Sequence, residues 1–203
     1  MSLHVPSPDH PPRTSGRTGR NRAPAALSRR GLLGFGAAVA LGLPLARPAA
    51  AREPEPERAV RVHNCQTGES FEGVYWAEGR PLAEALARID WVLRDHRNDH
   101  CRPIDLALLH RLSAIQERLE SDRPFEVLSG FRSPESNRQL IAQGASVHSL
   151  HLEGRAADLR LPGTPAATLY RCVLSFGNGG VGCYPERGFV HVDTGPTRRW
   201  VGG

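Results

Sequence analysis

The sequence predicts an α+β domain carried behind a separate leader. Two patterns predict the class: apolar residues recur at helical spacing in the first part of the folded region, and they fall into short glycine- and proline-bounded runs later. No internal repeat joins the two parts. With 203 residues, 39% hydrophobic and 23% charged, the chain has material for one ordinary core and too little for a membrane bundle.

The formal charge of +5 has a definite address. All 26 basic residues are Arg, and seven of them (13, 17, 20, 22, 29, 30 and 47) lie in residues 1–51 with one acid, Asp9, leaving 19 Arg against 20 acids in residues 52–203. That remainder stands at −1, so the positive charge belongs to the leader and nucleic-acid binding is not expected. Ser28-Arg29-Arg30-Gly31-Leu32-Leu33 opens an uncharged, Gly- and Ala-rich run to Ala46, and Ala49-Ala50-Ala51 follows. Paired arginines, a weakly apolar run shorter than the roughly 20 residues that span a bilayer, and small residues at its end predict a twin-arginine-type signal peptide over 1–51. Its removal leaves no stable membrane anchor and places the product in the periplasm. Residues 52–58, including Glu53-Pro54-Glu55-Pro56-Glu57, read as an extended spacer, and 59–203 as the domain.

The elements follow in order. Val60, Val62, Phe71, Val74 and Tyr75 mark two strands of a hairpin turning at Gln66-Thr67-Gly68. Leu82, Ala85, Leu86, Ile89, Val92 and Leu93 mark a helix to about Asp95, and Leu106, Leu109, Leu112, Ile115 and Leu119 mark a second. Phe125 to Ser129 is a strand halted by Gly130, Pro134 to Gln143 a short helix, Arg155 to Leu161 a strand, and Ala166 to Leu174 a third long helix. Val181 to Tyr184 and Phe189 to Thr194 close the domain as strands joined by a tight turn. Cys65, Cys101, Cys172 and Cys183 are an even set in an oxidising compartment: three disulfide pairings are open, as are four buried thiols, and the lack of C-x-x-C argues against a cysteine zinc site.

Seven histidines fall in 52–203: 63, 96, 100, 110, 148, 151 and 191. The Asp95–His100 cluster reads as solvated surface and His110 as structural. His151 precedes Asp158 by seven residues across Gly154, and alternation along 189–194 puts Phe189, His191 and Asp193 on one strand face. Two imidazoles and a carboxylate meet the need of a catalytic zinc for about three N and O ligands with one position open.

Ser129-Gly130-Phe131-Arg132-Ser133-Pro134, Ser149-Leu150-His151 with Gly154-Arg155-Ala156-Ala157-Asp158, Gly179-Gly180-Val181-Gly182-Cys183-Tyr184-Pro185, and Phe189-Val190-His191-Val192-Asp193 together resemble the LAS zinc peptidases. This group contains lysostaphin, the D-Ala-D-Ala metallopeptidases and the hedgehog domain, and within it the pattern is most similar to the MepK-type murein endopeptidases. The resemblance implies a small antiparallel sheet flanked by helices, Zn2+ held by His151, Asp158 and His191, and hydrolysis of peptide cross-links in peptidoglycan by a monomer. It also implies a substrate role for Arg132, whose planar fork suits a stem-peptide carboxylate at a loop tip; a structural ion pair is the alternative. Tyr184 either donates a hydrogen bond in the cleft or packs.

Two departures bear on mechanism. Many members carry a second His two positions before the last ligand, where Phe189 stands, and others a Glu three before it, where Gly188 stands. The general base is thereby unassigned, with His148 and Glu186 only nearby in sequence; Asp193 is expected to brace a ligand, base function being the lesser alternative. Cys183 replaces an expected aromatic. The competing readings are a catalytically silent zinc module that binds peptidoglycan and a carboxypeptidase trimming terminal D-Ala.

Overall fold

The first strand pair sets the frame for everything after it. In the computed structural model, which describes residues 55–202, β1 (Arg58–Asn64) and β2 (Ser70–Ala77) form the expected antiparallel hairpin. Its turn is built by Asn64, whose side-chain oxygen accepts from the Gln66 N–H at 2.9 Å, while Gly68 takes the left-handed φ of 77° that closes it. The expected signal peptide, residues 1–51, lies outside the described residues.

Helices α1 (Ala83–Val92) and α2 (Leu106–Arg118) follow the predicted periodicity and bury Ile89, Leu109, Leu112 and Ile115 with Val60, Val62 and Phe125. Asp105 caps α2 by accepting from the Ala107 N–H at 3.0 Å. β4 (Phe125–Ser129) enters parallel to β1, because the path through both helices returns the chain to the same end of the sheet. α3 (Pro134–Ile141) begins with proline in its first turn and Ser133 as cap, accepting from the Ser136 N–H at 3.2 Å. β5 (Ala156–Arg160), α4 (Ala166–Leu174), β6 (Gly180–Tyr184) and β7 (Phe189–Asp193) come where the pattern puts them.

The sheet is wider than expected. A two-residue β3 (Arg80–Pro81) and β8 (Arg198–Val201) bring it to eight strands in the order β3-β2-β1-β4-β5-β7-β6-β8, with β1·β4 and β6·β8 parallel and the rest antiparallel. Both additions are edge strands, one very short and one opening with two exposed arginines, so neither shows the apolar alternation of a half-buried strand.

Two further expectations change. The Asp95–His100 segment is not merely solvated surface: Asp95 is fully buried and accepts from the Ser133 N–H at 2.9 Å, and the Asn98 amide donates to Ser133 Oγ at 2.9 Å. The loop thus latches the start of α3. None of the three disulfide pairings is formed; all four cysteines are free thiols, Cys183 buried in β6 and Cys65 and Cys101 exposed. His110 is structural, its Nδ1 lying 2.9 Å from the buried Tyr75 hydroxyl. Among the described residues no helix is long and apolar enough to cross a membrane.

Candidate active site

One face of the β5-β7-β6-β8 half of the sheet gathers the candidate residues. Residues directly opposed across neighbouring strands point to the same face. The register sets Asp158 and Gly182 opposite His191, Trp200 beside Gly182, Arg198 beside Gly180, and Tyr184 opposite Phe189. Glycine at 180 and 182 is a spatial requirement, since a Cβ at 180 would lie 2.3 Å from an Asp193 carboxylate oxygen and one at 182 would lie 2.4 Å from the Trp200 ring.

His151 arrives from outside the sheet. It sits in a 3-10 turn, Leu150–Glu153, ended by Gly154 at φ 69°, where a Cβ would also meet the Pro103 carbonyl at 2.6 Å. The Ser129–Ser133 segment grips this turn: the Arg132 N–H donates to the His151 carbonyl at 3.0 Å, and His151 Nδ1–H donates to the Gly130 carbonyl at 2.7 Å.

His151, Asp158 and His191 are brought together with one ligand atom each within 4.8 Å of the others. Their outer bonds determine what the inner atoms are. A backbone carbonyl can only accept, so His151 carries its proton on Nδ1 and turns a lone pair inward from Nε2. His191 Nε2 lies 2.9 Å from Asp193 Oδ2, which likewise places a lone pair on Nδ1, 2.8 Å from Asp158 Oδ1 and 3.3 Å from His151 Nε2. In this tautomeric arrangement the centre is all acceptor and requires a cation between its members.

The electrostatics agree. Burial disfavours charge on His151 and lowers its pKa. Burial also opposes ionisation of Asp158, but His151 and His191 outweigh it and hold that carboxyl well below the usual range. For His191 burial opposes charge and the hydrogen bonds to Asp158 and Asp193 prevail, raising its pKa.

Asp193 is fully buried and its oxygens are occupied. Oδ1 accepts from the Gly180 and Gly195 N–H groups at 2.9 and 2.8 Å, and Oδ2 from His191 and, at 2.6 Å, from Arg198 Nη2. Although burial opposes its charge, these bonds pull its pKa down to about 2. It faces the side of His191 away from the donor cluster, a geometry for bracing and against action as base. Arg111, buried on α2, donates to the Asp193 carbonyl at 2.5 Å.

Arg132 is not at an open loop tip. It is 7% exposed, with its guanidinium 3.3 Å from Asp158 Oδ2, 3.1 Å from Ser129 Oγ and 3.4 Å from Asn137 Oδ1, because the capped start of α3 folds the segment inward. Tyr184 is half-buried, stacked on Phe189 at 4.5 Å between ring centroids, so Phe189 serves as packing partner where a second His was sought. His148 and Glu186 are exposed. A cleft of about 680 Å³ lined by Asp105, Phe131, Ser133 and Arg155 adjoins this region but contains none of the three candidate metal-binding residues. Sequence reasoning missed Arg111, Arg198 and Trp200; only the paired glycines of Gly180-Val181-Gly182 hinted that bulky groups cross β6.

An α+β fold thus carries a three-residue donor set that could hold a metal ion. A family model described as peptidoglycan L,D-endopeptidase MepK matches residues 52–200, and the chain belongs to that family. It is 36% identical over 178 residues to the peptidoglycan L,D-endopeptidase MepK of Escherichia coli strain K12, covering 85% of this chain and 97% of that protein. It is 34% identical over 170 residues to the probable peptidoglycan L,D-endopeptidase MepK of Haemophilus influenzae, covering 81% and 91%.

Proposed function

We propose that the protein is a zinc-dependent L,D-endopeptidase that cuts peptide cross-links of peptidoglycan in the periplasm, with His151 Nε2, His191 Nδ1 and an Asp158 oxygen as the zinc ligands. The observation that carries this is the inward-facing set of three acceptors, each held by an outer bond that leaves it no proton to share. When bound, zinc supplies Lewis acidity: it polarises the scissile carbonyl and makes water a better nucleophile near neutral pH.

The chain's own residues supply the rest. Gly130 and Asp193 fix the two imidazoles in the tautomers a metal accepts. Arg132 offsets charge on Asp158 Oδ2 and keeps a positive edge on the site that attracts stem-peptide carboxylate. Tyr184 stands on the same face as a hydrogen-bond donor to substrate. Export by the twin-arginine leader 1–51 is part of the proposal, supported by Ser28-Arg29-Arg30-Gly31-Leu32-Leu33 and the uncharged run after it. Changing Arg29 and Arg30 together to Lys is expected to leave precursor in the cytoplasm.

Purified protein incubated with peptidoglycan, with zinc or with a chelator, tests the activity by mass analysis of the muropeptides. Zinc-dependent loss of L,D-cross-linked species is expected. Phe189 in place of a second His favours the silent binding module, which predicts binding without any change in the muropeptides. Loss of terminal Ala with cross-links intact would identify a carboxypeptidase instead.

A further inference from the structure

We propose that Trp200 is a positioning residue: its indole N–H fixes the Tyr184 hydroxyl so that the phenol's single proton is directed to the substrate carbonyl oxygen as negative charge develops there. The inference rests on the endopeptidase reading and adds to it a residue outside the recognised motifs of the site.

The bond itself assigns the direction. Trp200 Nε1 lies 3.0 Å from the Tyr184 oxygen, and an indole nitrogen only donates, so the phenol oxygen accepts. Its own proton is left to point elsewhere, and no acceptor among the described residues is seen to take it. Tyr184 shares the β6 face of Gly182, which stands opposite His191, and the indole that holds its hydroxyl also reaches the His191 ring. Tyr184 thus borders the donor cluster from the β6 side.

Both rings are held. Tyr184 is stacked on Phe189 at an interplanar angle of 15°, and on another side Gly202 approaches so closely that a Cβ there would lie 2.5 Å from the Tyr184 ring. Trp200 crosses Gly182, fills the space its missing side chain leaves, and reaches the His191 ring at 5.3 Å between centroids. The parallel register of β8 on β6, Trp200 beside Gly182, delivers the indole to this spot. A preorganised donor is worth most where charge appears only in the transition state, so the contribution belongs to turnover and not to binding.

The test compares wild type, Trp200→Phe, Tyr184→Phe and the double variant as full-length zinc-loaded proteins on a purified L,D-cross-linked muropeptide. Phenylalanine at 200 keeps a ring over Gly182 and removes only the donor. Tyr184→Phe is expected to lower kcat by about a hundredfold, in the range for one lost oxyanion donor. Trp200→Phe is expected to lower it by about three- to tenfold, the worth of one net hydrogen bond. KM, zinc content and Tm should stay at wild-type values, and the double variant should be no slower than Tyr184→Phe alone, because Trp200 acts through Tyr184. Wild-type kcat in Trp200→Phe, effects that multiply in the double variant, or a loss of zinc or Tm in step with kcat would overturn the proposal. An inactive wild type would sink the endopeptidase reading along with it, whereas an active wild type beside an unaffected Trp200→Phe sinks this inference alone.

Discussion

Asp193→Asn is the smallest change expected to disable the metal site while the sheet stays folded. Asparagine keeps one oxygen and replaces the other by an NH2 group. The oxygen must remain where Oδ1 is, since two backbone N–H groups, those of Gly180 and Gly195, converge there and an NH2 group would meet both as donor against donor. The NH2 group is therefore turned toward His191 Nε2. To accept from it, His191 must give up the proton on Nε2 and carry one on Nδ1, the atom that faces Asp158 at 2.8 Å. That proton occupies the position a metal needs.

The magnitude follows from the lost bond behind a ligand, which typically costs about 10- to 100-fold in metal affinity, or roughly 1.4–2.7 kcal/mol. Folding is expected to suffer less. Arg198, the other group on Oδ2, has a side chain 45% exposed and can turn to water. Asp193→Ala is the contrasting variant: it strips the acceptor from two backbone donors at about 1–3 kcal/mol each and is expected to melt early. Zinc titration against a chromophoric chelator, with melts on the metal-free proteins, measures both. A folded Asp193→Asn protein that binds zinc within about twofold of wild type would refute the tautomer argument.

Arg132→Ala is expected to lower turnover efficiency by roughly ten- to a hundred-fold, with Lys recovering only part, and, because the guanidinium also joins Asp158, Ser129 and Asn137, to lower Tm as well; normal turnover in the folded variant would remove the substrate role. Gly154→Ala is expected to cost about 1–3 kcal/mol of stability through its left-handed φ and the Pro103 carbonyl, and to weaken zinc binding by displacing His151, as melts and zinc titration would show. Burial pushes the Tyr75 phenol up to about 12 from its ordinary 10. A folded pKa above the unfolded one stabilises below pH 10 and is lost as pH rises through 12, so absorbance titration is expected to show one of the three tyrosines ionising near 12, a step that Tyr75→Phe removes.

Most of the fold was legible because its elements obey single periodicities. Leu109, Leu112 and Ile115 on α2, or Val190 and Val192 on β7, carry their burial in their spacing. β8 was not legible, because Arg198 and Arg199 are exposed and its one consequential residue, Trp200, is read only against Gly182 on another strand. The site divides the same way. His151, Asp158 and His191 could be named from residue type, but the inward direction of their lone pairs depends on Gly130 and Asp193, and no spacing encodes that. Asp95 misled for a related reason: amid five polar neighbours it looks solvated, yet its partner is the Ser133 N–H, 38 residues away.

Charge shows the same limit more sharply. The domain's balance of −1 carries no sign of a special site, yet around the donor cluster two buried or nearly buried carboxylates meet three arginines. Arg132 holds Asp158 Oδ2, Arg198 holds Asp193 Oδ2, and Arg111 the Asp193 carbonyl. Bare buried carboxylates would be costly, and these contacts offset that cost. Arg132 shares Asp158 Oδ2 with His151 Nε2, and Arg198 shares Asp193 Oδ2 with His191 Nε2, so each of these cations offsets charge on an oxygen that also faces an imidazole. A metal held there would face an Asp158 carboxylate already partly neutralised by Arg132, and would keep more of its positive field for a carbonyl that gains negative charge.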